Sequence, residues 1–259
     1  MSQDGQWLKI TIFIMDRQRE LDKLLRNRQT GSCDNRLKDA LAFAEAFAQV
    51  ENVVAVVSDM SNGVSHICNG RFASVLGIEG YSSENSIWEK RILDMMSAEE
   101  REAKFIAELR FFHYLRHLPK TKRANHCLFA KLRFTLPDGS MKDVLHRMYY
   151  LYDTELENVM YAICLYGPLS FDFNGKCQVV DTITGITEEL SVGTNASVLG
   201  KRERQVLALI DSGMKSAEIA ERLNISIHTV SRHRQEILAK LQMKNSIEAC
   251  RLAKSMELI

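Results

Sequence analysis

The run Ser226 to Leu241, SIHTVSRHRQEILAKL, carries the side chains best suited to chemistry with a nucleic acid. Read as a helix capped by Ser226 and turning about 100° per residue, it places Val230, Ile237 and Leu241 on one narrow buried stripe. The opposite side presents His228, Arg232, Gln235 and Ala239, with Ser231 on the flank. Arg and Gln make bidentate contacts with guanine and adenine edges, so a helix packed by one face and carrying them on the other suits a DNA major groove. No G-x-S-x-G, Cys/His nucleophile arrangement or phosphate loop appears, so no catalytic residue, cofactor or metal site is assigned from motif.

That helix needs a scaffold, and residues 199–259 read as four helices. Gly200 serves as a tolerable N-cap for the first, with Glu203 at its third position, where an acid favours the helix dipole. Val206, Leu207 and Ile210 form its buried stripe and Gly213 is the expected stop. Ser216 is the expected cap of the second helix, whose Ile219, Ala220 and Leu223 face inward. Asn224-Ile225 turns the chain to Ser226. The fourth helix starts at Asn245-Ser246 and carries Ile247, Ala249, Cys250, Leu252, Ala253 and Met256, more apolar positions than one stripe requires, and the surplus suits a dimer contact.

The stretch LGKRERQVLALIDSGMKSAEIAERLNISIHTVSRHRQEILAKLQMKNSIEAC resembles the LuxR-type helix-turn-helix domain. The resemblance rests on Arg202-Glu203, Gly213, Glu218-Ile219-Ala220, Leu223, Ser226, Thr229-Val230, His233, Lys240-Leu241 and Ala249 at their spacings. It implies a transcriptional regulator that binds a double-stranded DNA operator as a homodimer. Base-contacting positions of that family fall on Ser231, Arg232 and Gln235. Ser226, His228, Thr229, Arg234, Lys240 and Lys244 are the expected backbone contacts, while His233 is expected to be structural and to bond nearby backbone. Two positions depart from the family pattern: Gly200 stands where Ser or Thr is usual, and Ser231 where Lys or Arg is common.

The rest of the chain must then supply the input. The 259 residues are 46% hydrophobic and 26% charged, ordinary for about two soluble domains. Net charge is +1 overall, but residues 199–259 hold eleven Lys and Arg against seven Asp and Glu, while the first 198 hold 23 against 26. A basic end on a slightly acidic body fits a single DNA-binding domain. Six cysteines without a C-x-x-C pair, and no signal peptide, point to a reducing cytoplasm. The apolar run Trp7–Met15 is too short for a membrane span, which takes roughly 20 residues, and reads as a strand or docking segment.

Residues 16–50 predict two helices. In the second, RLKDALAFAEAFAQV, the apolar side is Leu37, Leu41, Ala44, Phe47 and Ala48; such a helix either dimerises or packs on its own domain. VVAVVSDM and GVSHICN predict a hairpin, residues 87–118 a long helical region, and three extended runs a meander turned by Pro137-Asp138-Gly139. This order resembles a PAS domain over residues 50–168. The resemblance implies an α+β fold, an antiparallel sheet with helices, and a small-molecule site between the concave sheet face and the central helices. The organisation expected is thus an extension at 1–50, a PAS-like sensor at 51–168, a hairpin and linker at 169–198, with the tether SVGTNASV and a boundary near Asn195, and an all-α helix-turn-helix domain at 199–259. Three other readings compete: a response regulator whose phospho-receiver uses Asp59, a metal-binding or enzymatic domain using His113 and His117 with His126 and Cys127, and a PAS domain with a filled core that serves purely for dimerisation.

Overall fold

A computed structural model describes residues 18–19, 21–22, 24–25, 36–153, 155, 158–173, 175–190, 199–241, 243, 245–255 and 258–259. Trp7–Met15, the tether SVGTNASV with Asn195, Lys244 and Met256 lie outside the described residues. The chain divides into two units, one of residues 1–108 and 118–189, the other of residues 109–117 and 190–259. No helix among the described residues is long and apolar enough to cross a membrane.

The first unit has the α+β fold expected, an antiparallel sheet with helices. Its strands are β1 (Val54–Asp59), β2 (Val64–Asn69), β3 (Ser83–Glu84), β4 (His126–Thr135), β5 (Met141–Tyr152), β6 (Val159–Pro168), β7 (Cys177–Asp181) and β8 (Thr187–Glu189), ordered β3-β2-β1-β6-β5-β4-β7-β8. The β1–β2 hairpin and the β4–β5–β6 meander form as the apolar alternation predicts. At Pro137-Asp138-Gly139 the turn works as its residue types require. Gly139 takes φ +82°, and the Asp138 carboxylate accepts from the Ser140 amide at 2.9 Å and its hydroxyl at 2.6 Å.

Both faces of β1 and nearly all of β6 are buried. Ala55, Val57, Tyr161, Ile163 and Leu165 face the helix α1 (Arg36–Glu51), which lays Ala40, Ala44 and Ala48 against them. The stripe expected on α1 was Leu37, Leu41, Ala44, Phe47 and Ala48. The helix instead turns its small residues inward, and Leu37, Leu41 and Phe47 pack only partly at the margin. Alanines allow the helix to approach the sheet closely. Ordered on its own domain, α1 follows the second of the two roles considered for it. Leu21 and Leu25, in the first predicted helix, are also buried, lining the space on the other face of the sheet.

Three features differ from the sequence reading. The helical region at 87–118 is broken into a short α3 (Lys90–Leu93) and a long α4 (Ala98–His117), after the short α2 (Phe72–Leu76). Ser97 causes the restart: its hydroxyl accepts the Glu100 amide at 3.2 Å, satisfying an N–H that a new helix leaves without a carbonyl. A single turn, α5 (Lys120–Arg123), follows Pro119. Thirdly, the hairpin foreseen in 169–198 forms as β7–β8, but it joins the sheet, with β7 pairing along β4 from His126 to Ala130.

Where α1 ends, β1 begins and β2 ends, the backbones nearly touch at Gly70. Its amide donates to the Val53 carbonyl at 2.8 Å, and a Cβ there would collide with the carbonyl oxygens of Ala48 and Val53. Backbone cannot yield as a side-chain tip can. Gly70→Ala is therefore expected to destabilise the protein by about 1–3 kcal/mol, the usual cost of overpacking, read as a lower urea midpoint.

Candidate nucleic-acid interface

In the second unit the four expected helices form, as α6 (Lys201–Asp211), α7 (Ser216–Arg222), α8 (Ile227–Leu241) and α9 (Ser246–Ser255). Their starts and stops follow local chemistry. Gly200 caps α6 in extended conformation, and Glu203 reaches back to accept its amide at 2.6 Å. Gly213, at φ +86°, ends that helix. Asn224 takes φ +52° to turn the chain, and the Ser226 hydroxyl accepts the Thr229 amide at 3.0 Å to begin α8. Asn245 caps α9 by accepting from Glu248 at 3.0 Å. The cap expected at Ser216 lies one residue earlier: Lys215 is the N-cap, its amide held by Glu218 at 2.6 Å. Ser216, inside the helix, is left to accept a bond from Arg234.

The core of this unit sets the rotation of α8. Val230, Ile237 and Leu241 are all buried, with Val206 and Leu207 of α6, Ile219 and Ala220 of α7 and Ala249, Cys250, Leu252 and Ala253 of α9. Ile210 and Leu223, expected inward, are half-buried at the margin. With the stripe inward, Ser231, Arg232 and Gln235 are exposed on the other side, as is His228. Among the described residues Arg232 forms an ion pair with Glu236 one turn on, at 3.5 Å, both side chains being substantially exposed. An exposed i,i+4 pair contributes about 0.3–0.5 kcal/mol, small against a bidentate base contact of about 1–3 kcal/mol, so Arg232 is held loosely enough to be given up.

Other candidates are committed to the scaffold. Arg234 does not reach out to solvent; its guanidinium donates to the Ser246 hydroxyl at 3.0 Å and the Ser216 hydroxyl at 3.4 Å, bracing α8 against both neighbours. Lys240 pairs at 2.7 Å with buried Glu203, the same carboxylate that holds Gly200, so one acid ties the start of α6 to the end of α8. Arg202 donates to the Leu223 carbonyl, closing the end of α7. The roles of Glu203 and Arg202 as inter-helix ties escaped the sequence reading, although both stand in the quoted motif. His233 is half-buried as expected, but its Nδ1 lies 3.4 Å from the Glu236 carboxylate and makes no hydrogen bond, so the backbone bond expected of it is not made there. Ser226, His228 and Thr229 sit together at the amino end of α8, where the free N–H groups and the helix dipole favour an anion. Lys244 lies outside the described residues.

The competing sites do not assemble. Asp59 is buried at the end of an antiparallel strand, where its carboxylate accepts from the Ser61 and Asn62 amides and the Asn62 side chain, turning β1 into β2. A receiver's alternating strands and helices are absent from that sheet as described. His113 is fully buried, and burial, reinforced by Arg116 and His117, pushes its pKa down to about 3. His117 turns its Nδ1 onto the His113 carbonyl and His126 onto that of Lys122, so these rings do not gather a metal with Cys127. The space expected between the sheet and the central helices is present but small, about 20 Å³ in the first unit, lined by Ser58, Trp88, Glu89, Lys104, Glu108 and Cys164 among others.

The division between bracing and free arginines predicts opposite effects on stability. Arg234→Ala removes two hydrogen bonds and should lower the stability of the C-terminal domain by about 1–3 kcal/mol in urea unfolding. Arg232→Ala should leave it within about 0.5 kcal/mol. Equal losses would contradict the geometry.

Residues 197–253 match the family model described as bacterial regulatory proteins, luxR family. The oxygen regulatory protein NreC of Staphylococcus haemolyticus is 33% identical over 73 residues, 28% of this chain and 34% of that protein. The chain thus spans about a third of the length of the curated relatives it matches. Likeness to solved structures is loose. The phage VqmA–DPO complex is 16% identical over 86% of this chain and 88% of that one at TM-score 0.34, and a Rhodobacter sphaeroides LOV protein is 15% identical over 85% and 97% at TM-score 0.36. The family match and the four-helix geometry together identify the domain at residues 197–253 as a LuxR-type helix-turn-helix.

Proposed function

We propose that this chain is a transcriptional regulator that inserts α8 into the major groove of a double-stranded operator. Ser231, Arg232 and Gln235 read base edges in this scheme, Arg232 on guanine and Gln235 on adenine. Ser226, His228 and Thr229 hold phosphates at the helix start. The carrying observation is that Ser231, Arg232 and Gln235 are exposed on one face of a helix whose opposite face is buried. Arg234 and Lys240, which the sequence reading also offered to the phosphates, act mainly as braces because both already hold partners on neighbouring helices.

The work is done by binding, not by catalysis, and belongs in the cytoplasm with the DNA. The input comes from a PAS-like sensor at about 51–168, extended by the hairpin that follows, and the output domain is residues 199–259. A homodimer is the form that engages the operator; the 68% exposed Ile247 on α9 supplies apolar surface for it. The phospho-receiver reading has less support, since the oxygens of Asp59 are engaged in the β1–β2 turn.

Fluorescence anisotropy on a bound sequence tests the assignment. Arg232→Ala should weaken specific binding by about 1–3 kcal/mol and leave binding to random DNA nearly unchanged. Affinity should fall steeply with added salt. Equal losses on both DNAs would reduce Arg232 to a phosphate contact, and salt-independent binding would refute the groove model.

A further inference from the structure

In the first unit the sheet face opposite α1 carries an unusual load of buried polar groups. His146 of β5 and Cys164 of β6 lie on it two rungs apart, since His146 pairs with Tyr166 and Met148 with Cys164. Alternation puts all four side chains on the same face. Glu108 of α4 closes over them. Glu108, His146 and Cys164 are each at most 5% exposed, and their ligand atoms all lie within 4.8 Å of one another.

Among the described residues His146, like His113, is a buried imidazole that the fold leaves without a hydrogen-bond partner. It is 0% exposed, and neither ring nitrogen has a hydrogen-bond partner. A buried imidazole without partners costs about 1–3 kcal/mol per orphaned group. Its Nε2 is 3.8 Å from Glu108 Oε1, so the ring is aimed at the carboxylate without bonding to it. The Tyr166 ring stacked on it at 4.8 Å fixes its plane. Beside Glu108 and Cys164 lies the cavity of about 20 Å³, room for about one water.

We propose that Glu108, His146 and Cys164 form a binding site for one divalent transition-metal ion, Zn²⁺ being the natural fit, with water from the adjoining cavity as fourth ligand. One carboxylate oxygen, one imidazole nitrogen and one thiolate sulfur suit zinc, while the sulfur disfavours Mg²⁺ or Ca²⁺. Tetrahedral distances of about 2.0–2.3 Å to the metal place ligand atoms roughly 3.5 Å apart, so closing the site takes about 1 Å of contraction.

Charge counting supports the cation. Lys104 is fully buried, 2.7 Å from Glu108 and 3.6 Å from Glu89, and Glu89 also accepts a bond from the Tyr166 hydroxyl. With both carboxylates ionised, one ammonium would leave one negative charge in excess in a dry interior, where an unbalanced charge is costly. Binding of M²⁺ with loss of the Cys164 S–H proton to solvent brings the sum to zero. Lys104 then remains as the partner of Glu89. No electrons are transferred, and the released proton is the only by-product. The site does not depend on the DNA-binding reading of α8.

Cobalt reports on the ligands directly. The full-length chain, reduced with a phosphine and freed of metal, should bind one Co²⁺ with a near-ultraviolet sulfur-to-cobalt charge-transfer band and the visible bands of a four-coordinate ion. Cys164→Ser should abolish the charge-transfer band and Cys127→Ser should keep it. His146→Ala should weaken Zn²⁺ binding by at least about tenfold. On the unsubstituted protein, Zn²⁺ should slow alkylation of Cys164, mapped by mass spectrometry, and leave Cys127 unaffected, so the assignment stays open to refutation if a variant does not fold. No charge-transfer band in the reduced wild-type protein, a band that survives in folded Cys164→Ser, or alkylation of Cys164 indifferent to Zn²⁺ would each overturn the proposal.

Discussion

Burial of Val230, Ile237 and Leu241 fixes the rotation of α8, and the interface follows from that one constraint. Fully burying a side chain of this size contributes about 1.5–3 kcal/mol, so three on one stripe outweigh any preference of the exposed residues. Once the stripe is seated, Ser231, Arg232 and Gln235 are left exposed. Residues on the flanks meet adjacent helices instead, which is why Arg234 and Lys240, though cationic, are drawn into bonds with Ser216, Ser246 and Glu203. Charge alone does not mark a DNA contact; position around the helix does.

The same logic, with period two in place of 3.6, organises the first unit. Alternate residues of β1, β5 and β6 supply an apolar face for the alanines of α1 and an opposite face where His146, Cys164 and Tyr166 meet Lys104 and Glu108 of α4. The apolar face accounts for stability in the ordinary way. The polar face does not, since replacing buried ion pairs with apolar groups is often neutral or stabilising. A buried set of charges with an imidazole left unbonded fits a site built to receive something.

How much of this was legible in the sequence depended on the range of the interactions. Helix rotation in α8, the Pro137-Asp138-Gly139 turn and the Ser226 cap rest on residues within a turn or two of each other, and local periodicity reveals them. The break before α4 is equally local, but helix-forming residues flank Ser97 on both sides, so residue type alone marks no stop there. Ser216 was misread as a cap because the residue type fits while Lys215 supplies the extended backbone. The docking of β7 on β4 was hidden because pairing partners some fifty positions apart, such as Cys127 and Val180, leave no local pattern. For the same reason Glu108, His146 and Cys164, on three separate elements, could not be grouped from spacing, whereas His113 and His117, one turn apart, looked like ligands and are not.

Selection of bound duplexes from random DNA tests the central claim most directly, namely that the outer face of α8 reads sequence. The wild-type chain should enrich a common half-site, recovered in inverted pairs as a dimer requires. A folded Arg232→Ala, Gln235→Ala double variant should enrich no such motif while still binding DNA at low salt. Recovery of the same motif by the double variant would contradict the account, since sequence would then be read by some other surface.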